Sequence, residues 1–278
     1  MQQMDITPSR LRTKVFMVAN LVFKGVAFKG VSWRNYGPPS LNRSTPKDTA
    51  LQEIGRIGLG FVFQSFMDEL AHAAGKDPLD FRLALLGEPK ILASTPGRPD
   101  PLRDFNTGRM RDVLLRVAEV SDWKNRHSLP KGTAKGLAFY YSHLGYFAEV
   151  VQATVSASGA IKVDHVWAVG DIGSQIVNPL GAEHQVQGAA LDGLGAALGQ
   201  AVMIERGRVV QANFDTVPPL RIDQAPPVEV HFITSNVPPT GLGEPALPPV
   251  LPALCNAIFA ATGKRIRSLP IDTQLLKA

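Results

Sequence analysis

The sequence predicts an α+β protein: a helical first lobe over residues 1–130, followed by a mixed α/β lobe over 131–278. Two observations carry this. Up to about residue 130 the apolar residues recur at three- and four-residue spacing, the period of an amphipathic helix. From Lys131 the texture changes to β-branched and aromatic runs bounded by turn residues, the mark of strands. Segregating helices from strands along a chain points to α+β rather than to an alternating parallel fold.

The opening is extended and aromatic-rich as far as Ser32-Trp33-Arg34-Asn35-Tyr36-Gly37. Arg10, Arg12 and Lys14 ahead of the apolar run 15–23 give the outline of a signal peptide. Asn20 interrupts that run and no small-residue cleavage site follows cleanly, so it reads as a buried strand. The stretch 38–60 is rich in Pro, Ser, Thr and Gly and reads as a loop or inserted segment. Phe63, Phe66, Met67, Leu70 and Ala74 then predict a helix closed by Gly75. Asp77 and Pro78 supply the N-cap and first position of a second helix carrying Phe81, Leu85 and Leu86. After a Pro/Gly-rich linker over 88–104, Met110, Val113, Leu114 and Val117 mark a third helix ending near Trp123.

In the second lobe, strands are expected over 137–142, 146–156 and 161–169, with Gly159 at the turn between the last two. Residues 179–201 are small and helical in character. Further strands are expected around 208–211 and 228–234. A final helix begins near Pro252 and ends at Gly263, where Lys264 and Arg265 suit the negative end of the helix dipole.

Composition narrows the function classes. With 45% hydrophobic and 19% charged residues the chain has the balance of a folded globular protein. Its net charge is +5, yet the basic residues are scattered without a long run, which argues against nucleic-acid binding. No segment reaches the roughly 20 apolar residues of a membrane span. The single cysteine, Cys255, cannot form an intrachain disulfide, a four-cysteine cluster or a cysteine-based zinc site. His72, His127, His143, His165, His184 and His231 show no paired zinc spacing, and no GxSxG elbow supports a serine hydrolase.

Three constellations could carry chemistry. In Gly241-Leu242-Gly243-Glu244-Pro245 a carboxylate stands between permissive glycines and a proline that restrains its backbone. Glu244 could be a base, although a helix N-terminus favours an acidic residue for its dipole alone. Gln185-Val186-Gln187-Gly188 opens a helix thinned by Ala189, Ala190, Gly193, Gly195 and Gly199, whose small residues admit a ligand or a closely packed sheet. The glycine spacing is GxGxxxG, which departs from a dinucleotide fingerprint. Arg34, beside Trp33, can bind an anionic or polar ligand or stack on the indole.

The order of these features resembles the molybdopterin-binding large subunit of the xanthine dehydrogenase and aldehyde oxidase family, its isoquinoline 1-oxidoreductase branch above all. The resemblance runs from about Gly30 to Ile271 and is similar to that family's C-terminal half. Ser32-Trp33-Arg34-Asn35-Tyr36-Gly37 resembles a WRSVG loop, and 65–71 with 74–82 resembles a helical hairpin. Val169-Gly170-Asp171-Ile172-Gly173 with Val177-Asn178-Pro179 resembles the strand-end turn before a QxxG helix. Asn213-Phe214, Leu220-Arg221-Ile222, the GLGEP loop and 256–270 complete the series.

The resemblance implies a molybdenum ion held by a pterin dithiolene, with a sulfido ligand and a water-derived hydroxyl, acting on an aldehyde or aromatic N-heterocycle. It implies Glu244 as general base, Arg34, Gln185, Gln187, Gly188, Gly241 and Gly243 as cofactor contacts, and no direct protein ligand to the metal. Electrons would leave through iron–sulfur clusters on a small partner subunit, as the lone cysteine requires. The family's upstream glycine-rich segments are not found here, so the expectation is half a site, completed by another chain. The segment 38–60 stands where the family has a short connection. Asn35 and Tyr36 replace its usual Ser and Val, and Gln187 stands where Glu is usual. The alternative reading is a truncated, non-catalytic remnant serving as a structural or interaction module. Compartment stays open between the cytoplasm and co-export to the periplasm with a signal-bearing partner.

Overall fold

The computed structural model describes residues 46–93 and 98–277. The expected strand over 15–23 and the Trp33-Arg34 loop lie outside the described residues. Two compact units divide the chain, Met1–Gly55 and Arg56–Ala278. The described part of the first is the opening of helix α1 (Pro46–Ala73).

The stretch 38–60, expected as a loop, is helical from Pro46 onward. Proline suits a first helical position, and Lys47 to Ile54 contains good helix formers without a further proline. The glycines that suggested a loop have another use at Gly60. A Cβ there would stand 2.9 Å from the Pro248 carbonyl oxygen, so the missing side chain lets α1 meet the last helix. Gly75, at φ +61°, closes the turn after α1 as expected.

Helix α2 (Pro78–Leu86) is capped by Asp77, whose carboxylate accepts from the Leu79 and Asp80 amides. Asp77 also accepts from Trp123 Nε1 and pairs with Arg126, tying the hairpin to the 3₁₀ turn at Trp123–Ser128. The hairpin closes on Arg82, a fully buried guanidinium. It donates to Gln64 Oε1 at 3.0 Å, the Gln64 carbonyl at 2.9 Å and the Pro78 carbonyl at 3.0 Å. Desolvation lowers its pKa to about 10, against the opposing pull of Asp68 and Asp77.

Strand pairs β1 (Ile91–Leu92) and β2 (Phe105–Asn106) lead into helix α3 (Thr107–Val120), capped by the Asn106 side chain. The main sheet follows: β3 (Thr133–Ser142), β4 (Gly145–Val155) and β5 (Ile161–Asp171). Helix α4 (Pro179–Leu198) comes next, then a two-residue hairpin of β6 (Ile204–Glu205) and β7 (Arg208–Val209). Strand β8 (Val228–Ile233) and helix α5 (Leu247–Thr262) complete the fold. The sheet order is β3-β4-β5-β8, antiparallel except for the parallel β5–β8 pair.

Side chains on β4 alternate between two cores, as strand geometry dictates. Tyr146, Ala148 and Val150 meet Met110, Val113, Leu114 and Val117 of α3. Val151 and Ala153 meet Leu194 of α4 and Val250, Leu251 and Leu254 of α5, and Phe147 packs with Val186, Ala189 and Ala246. The α3 cluster crosses the expected lobe division near Pro130, since it joins α3 to Leu137 of β3.

Helix α5 begins at Leu247, five residues before the expected Pro252. Pro248 and Pro249 fall in the first turn, where their missing amide hydrogens have no intrahelical partner to lose. Pro252 lies inside the helix and leaves the Pro248 carbonyl without its usual donor, at the point where Gly60 approaches. Gly136 of β3 lets sheet and helix approach closely: a Cβ there would collide with the α5 backbone at Ala253 and Ala257. Asn256 Nδ2 donates to the Leu137 carbonyl at 3.1 Å beside it.

Two buried charged groups have opposite consequences. Arg109 of α3 grips Asp171 at the end of β5, Nε and Nη2 each 2.7 Å from a carboxylate oxygen. Arg109→Met leaves a buried carboxylate unpaired, and we expect it to lower the unfolding free energy by about 3–5 kcal/mol in urea titrations. Glu149, in the middle of β4, is fully buried between Phe147 and Val151, and neither carboxylate oxygen has a hydrogen-bond partner among the described residues. Burial pushes its pKa well above 4.5, so the folded chain keeps a proton that the unfolded chain releases near that value. The stability this proton confers is fully present below about pH 4.5 and is lost as pH rises toward the raised pKa. Glu149→Gln removes the group. Wild-type stability, measured relative to that variant, should fall by up to about 1.4 kcal/mol per pH unit as pH rises above the ordinary carboxylate range, until the raised pKa is passed.

Candidate active site

One end of the sheet collects three chain features. The β3–β4 turn lies there because Ser142 pairs with Gly145, and the β4 start at Tyr146 pairs with Asp171 at the end of β5. Asp171 in turn pairs with Ile233 at the end of β8. The carboxyl ends of the parallel strands, where α/β proteins open crevices, thus share an edge with the β3–β4 turn.

Asp171 binds the segments leaving both strands. Its Oδ1 accepts from the Gly173 amide at 3.0 Å and from the Ser235 hydroxyl at 2.8 Å. Backbone bonds continue the lacing: Ser174 donates to Val237, Ser235 to Gly173 and Thr240 to Ile172. The first segment enters α4, capped by Asn178. The second is carried back over the sheet end to the Gly241–Pro245 loop and the start of α5.

These connections create an open cleft of about 330 Å³ lined by His184, Gln185, Gly188, Ala189, Asp192, Gly243, Glu244 and Leu247. Glu244, Gln185, Gly188 and Gly243 are therefore brought together from two distant stretches. Both walls carry bare backbone. Nothing lies within 4 Å of where a Gly188 Cβ would stand, and a Gly243 Cβ would be 4.0 Å from Gln185 Oε1. A carboxylate, a primary amide and two exposed glycines can bind a polar ligand closely and hold a proton beside it.

Other predicted residues fall elsewhere. Gln187 is turned to the sheet, its Nε2 donating to the Val228 carbonyl at 3.3 Å and to Glu183 Oε1 at 3.2 Å. Gly241 is exposed and does not line the cleft. Arg34 lies outside the described residues. Sequence reasoning missed His184 and Asp192, although 184, 188 and 192 recur every four residues on one helix face. It also missed His143, in the β3–β4 turn, whose Nε2 is 3.5 Å from Glu244 Oε2. Their side chains are 34% and 45% exposed.

A family model described as a molybdopterin cofactor-binding domain matches residues 110–226. The chain is 37% identical over 216 residues to a membrane-bound aldehyde dehydrogenase [pyrroloquinoline-quinone] of Gluconacetobacter polyoxogenes, covering 75% of this chain and 27% of that one. It is 30% identical over 227 residues to isoquinoline 1-oxidoreductase subunit beta of Brevundimonas diminuta, covering 81% and 27%. The chain thus spans about a quarter of the length of these curated relatives. Among solved structures, aldehyde oxidoreductase from Desulfovibrio gigas superposes with a TM-score of 0.59 at 14% identity, over 81% of this chain and 41% of that one. At that identity the likeness speaks for the fold, which is the α+β class expected. Residues 110–226 thus match a molybdopterin cofactor-binding domain, and the chain resembles part of the molybdenum-binding subunits of aldehyde, isoquinoline and xanthine oxidoreductases.

Proposed function

We propose that this chain forms part of a molybdenum hydroxylase oxidising an aldehyde or an aromatic N-heterocycle, with water as oxygen source. The observation that carries the reading is the convergence of Glu244 with Gln185 and the bare backbone of Gly188 and Gly243 in one cleft. Those residues fit a pterin-held group: a planar ligand can approach the glycines, the Gln185 amide can both donate and accept, and Glu244 stands at the rim. Bound molybdopterin would supply the two-electron acceptor.

Glu244 is the general base of this reading, taking up a proton at its carboxylate as substrate is attacked. Pro245 behind it limits the directions the carboxylate can take. Gln185, Gly188 and Gly243 hold the cofactor. Gln187 anchors α4 to the sheet edge through Val228, and so acts on the cleft by fixing the helix that lines it. Arg34 and Gly241 remain assigned to cofactor contact by resemblance.

Electrons pass to iron–sulfur clusters on a partner subunit. Cys255 is unsuited to ligate such a cluster, since it is buried in α5 and burial pushes its thiol up to about 12. The rest of the cofactor site is supplied by sequence of the kind that precedes this region in the longer relatives. Although the name of one relative carries pyrroloquinoline quinone, the domain matched over residues 110–226 favours molybdopterin.

Glu244→Gln should lower turnover of the molybdenum-loaded assembly by about 10²-fold or more with metal content unchanged by elemental analysis. Loss of metal along with activity would make Glu244 a structural residue instead. Gly188→Ala separates fold from ligand. With open space beyond the new methyl, the helix should gain about 0.5–1 kcal/mol, while the methyl projects into the cleft and weakens molybdopterin retention. A raised melting temperature with cofactor retention unaltered would remove Gly188 from the cofactor contacts.

A further inference from the structure

Neither side chain of the His143–Glu244 pair is locked by burial, since about a third of one and nearly half of the other is exposed. The carboxylate sits at the end of a loop with glycines at 241 and 243, so rotamer freedom is the obstacle to its use as a base. Opposite it, the β3–β4 connection is a two-residue turn with both central residues at positive φ, His143 at +52° and Leu144 at +64°. Such turns favour Asn-Gly, because a side chain with a Cβ is disfavoured in the left-handed region. The hairpin has ten paired residues of β3 to hold its register without an ideal turn. The hairpin's register does not require an imidazole at this strained position, and the one presented there brings Nε2 to 3.5 Å from Glu244 Oε2. Unfavourable backbone that persists beside a candidate catalytic group points to use of the side chain it presents.

Resting on the reading of Glu244 as base, we infer that His143 is its positioning residue: the imidazole Nε2, presented by the strained turn, restrains the Glu244 carboxylate toward the cleft. The sheet supplies the rigidity. Ser142 and Gly145 are paired across the turn, and Tyr146 next to them hydrogen-bonds to the Asn106 amide at 2.8 Å, so the imidazole is carried on a rigid edge. The restraint acts between two elements that share no sequence neighbourhood. One is a hairpin tip and the other is the loop that Asp171 laces to the sheet.

The decisive variant is His143→Asn, because asparagine suits the left-handed turn better and is too short to reach Glu244. We expect its unfolding midpoint to equal or exceed that of wild type. In the molybdenum-loaded assembly its kcat should fall by roughly 10- to 100-fold with KM little changed, the signature of a misplaced rather than a missing group. His143→Gln, whose amide nitrogen has nearly the reach of Nε2, should recover most of that loss. A readout independent of the cofactor is imidazole ¹⁵N NMR on the chain itself. The Nε2 resonance that disappears in His143→Asn should shift in Glu244→Gln. Wild-type kcat in His143→Asn, with Glu244→Gln inactive, overturns the positioning role and leaves the base intact. An Nε2 resonance unmoved by Glu244→Gln overturns it as well. Full turnover in Glu244→Gln overturns the reading of the site, and this inference with it.

Discussion

The bidentate pair between Arg109 and Asp171 is the constraint on which the cleft depends. Asp171 ends β5, and its carboxylate is shared among the guanidinium, the Gly173 amide and the Ser235 hydroxyl. One acceptor thus ties a helix on one face of the sheet to both segments that cross toward the other face. A buried ion pair gains little over a well-packed apolar pair, but breaking it is costly. Its value here is geometric. The anchor joins the segments after β5 and β8 at their root, and the backbone bonds between them carry that relation on toward Gln185 and Glu244. Tyr146 adds to the anchor, its ring 4.2 Å from the Arg109 guanidinium carbon.

On the opposite face, close packing is achieved by removing side chains. Gly136 admits α5 against β3, Gly60 admits α1 against the Pro248 carbonyl, and Gly193 admits Val250 and Leu251 against α4. Each lets two backbones approach closely, which spreads many small dispersion contacts over a large area. The same helix α4 therefore has two kinds of glycine. Gly193 faces another helix and is filled by it, whereas Gly188 faces open space at the cleft. Gly193 and Gly195 of this helix are packing residues, and Gly188 is its glycine in the cleft.

Local chemistry was legible in the sequence and spatial convergence was not. The Asp77–Pro78 cap, the left-handed Gly75, Gly159 and Gly263, and the three long strands were all found where their residue patterns predict, because each is decided within a few residues. The helix over 46–60 was missed in part because Gly60, which serves packing with Pro248, looks like a loop glycine until the partner is known. The start of α5 was missed because Pro248 and Pro249 read as breakers, although the first turn tolerates them. Gln185 and Gln187 could have been separated from sequence: two residues advance a helix by about 200°, so they cannot face the same cleft. His143 could not have been found so, because its nearness to Glu244 depends on strand register and on the parallel placement of β8 beside β5.

The exposure of Glu244 bears on how a site of this kind would work. Near water a carboxylate is a weak base, and fixed dipoles act more strongly when solvent is excluded. With 45% of its side chain exposed, Glu244 has the position of a base without the dry surroundings that would make it effective. The chain matches relatives about three times its length, and on the proposed function their additional sequence would cover the cleft. Closure of the cleft and activation of the base would then be one event, with His143 already holding the carboxylate so that cover need only remove water. On the proposed function, a site divided in this way would keep its acid–base group idle until the cleft is covered, which would limit unproductive proton exchange.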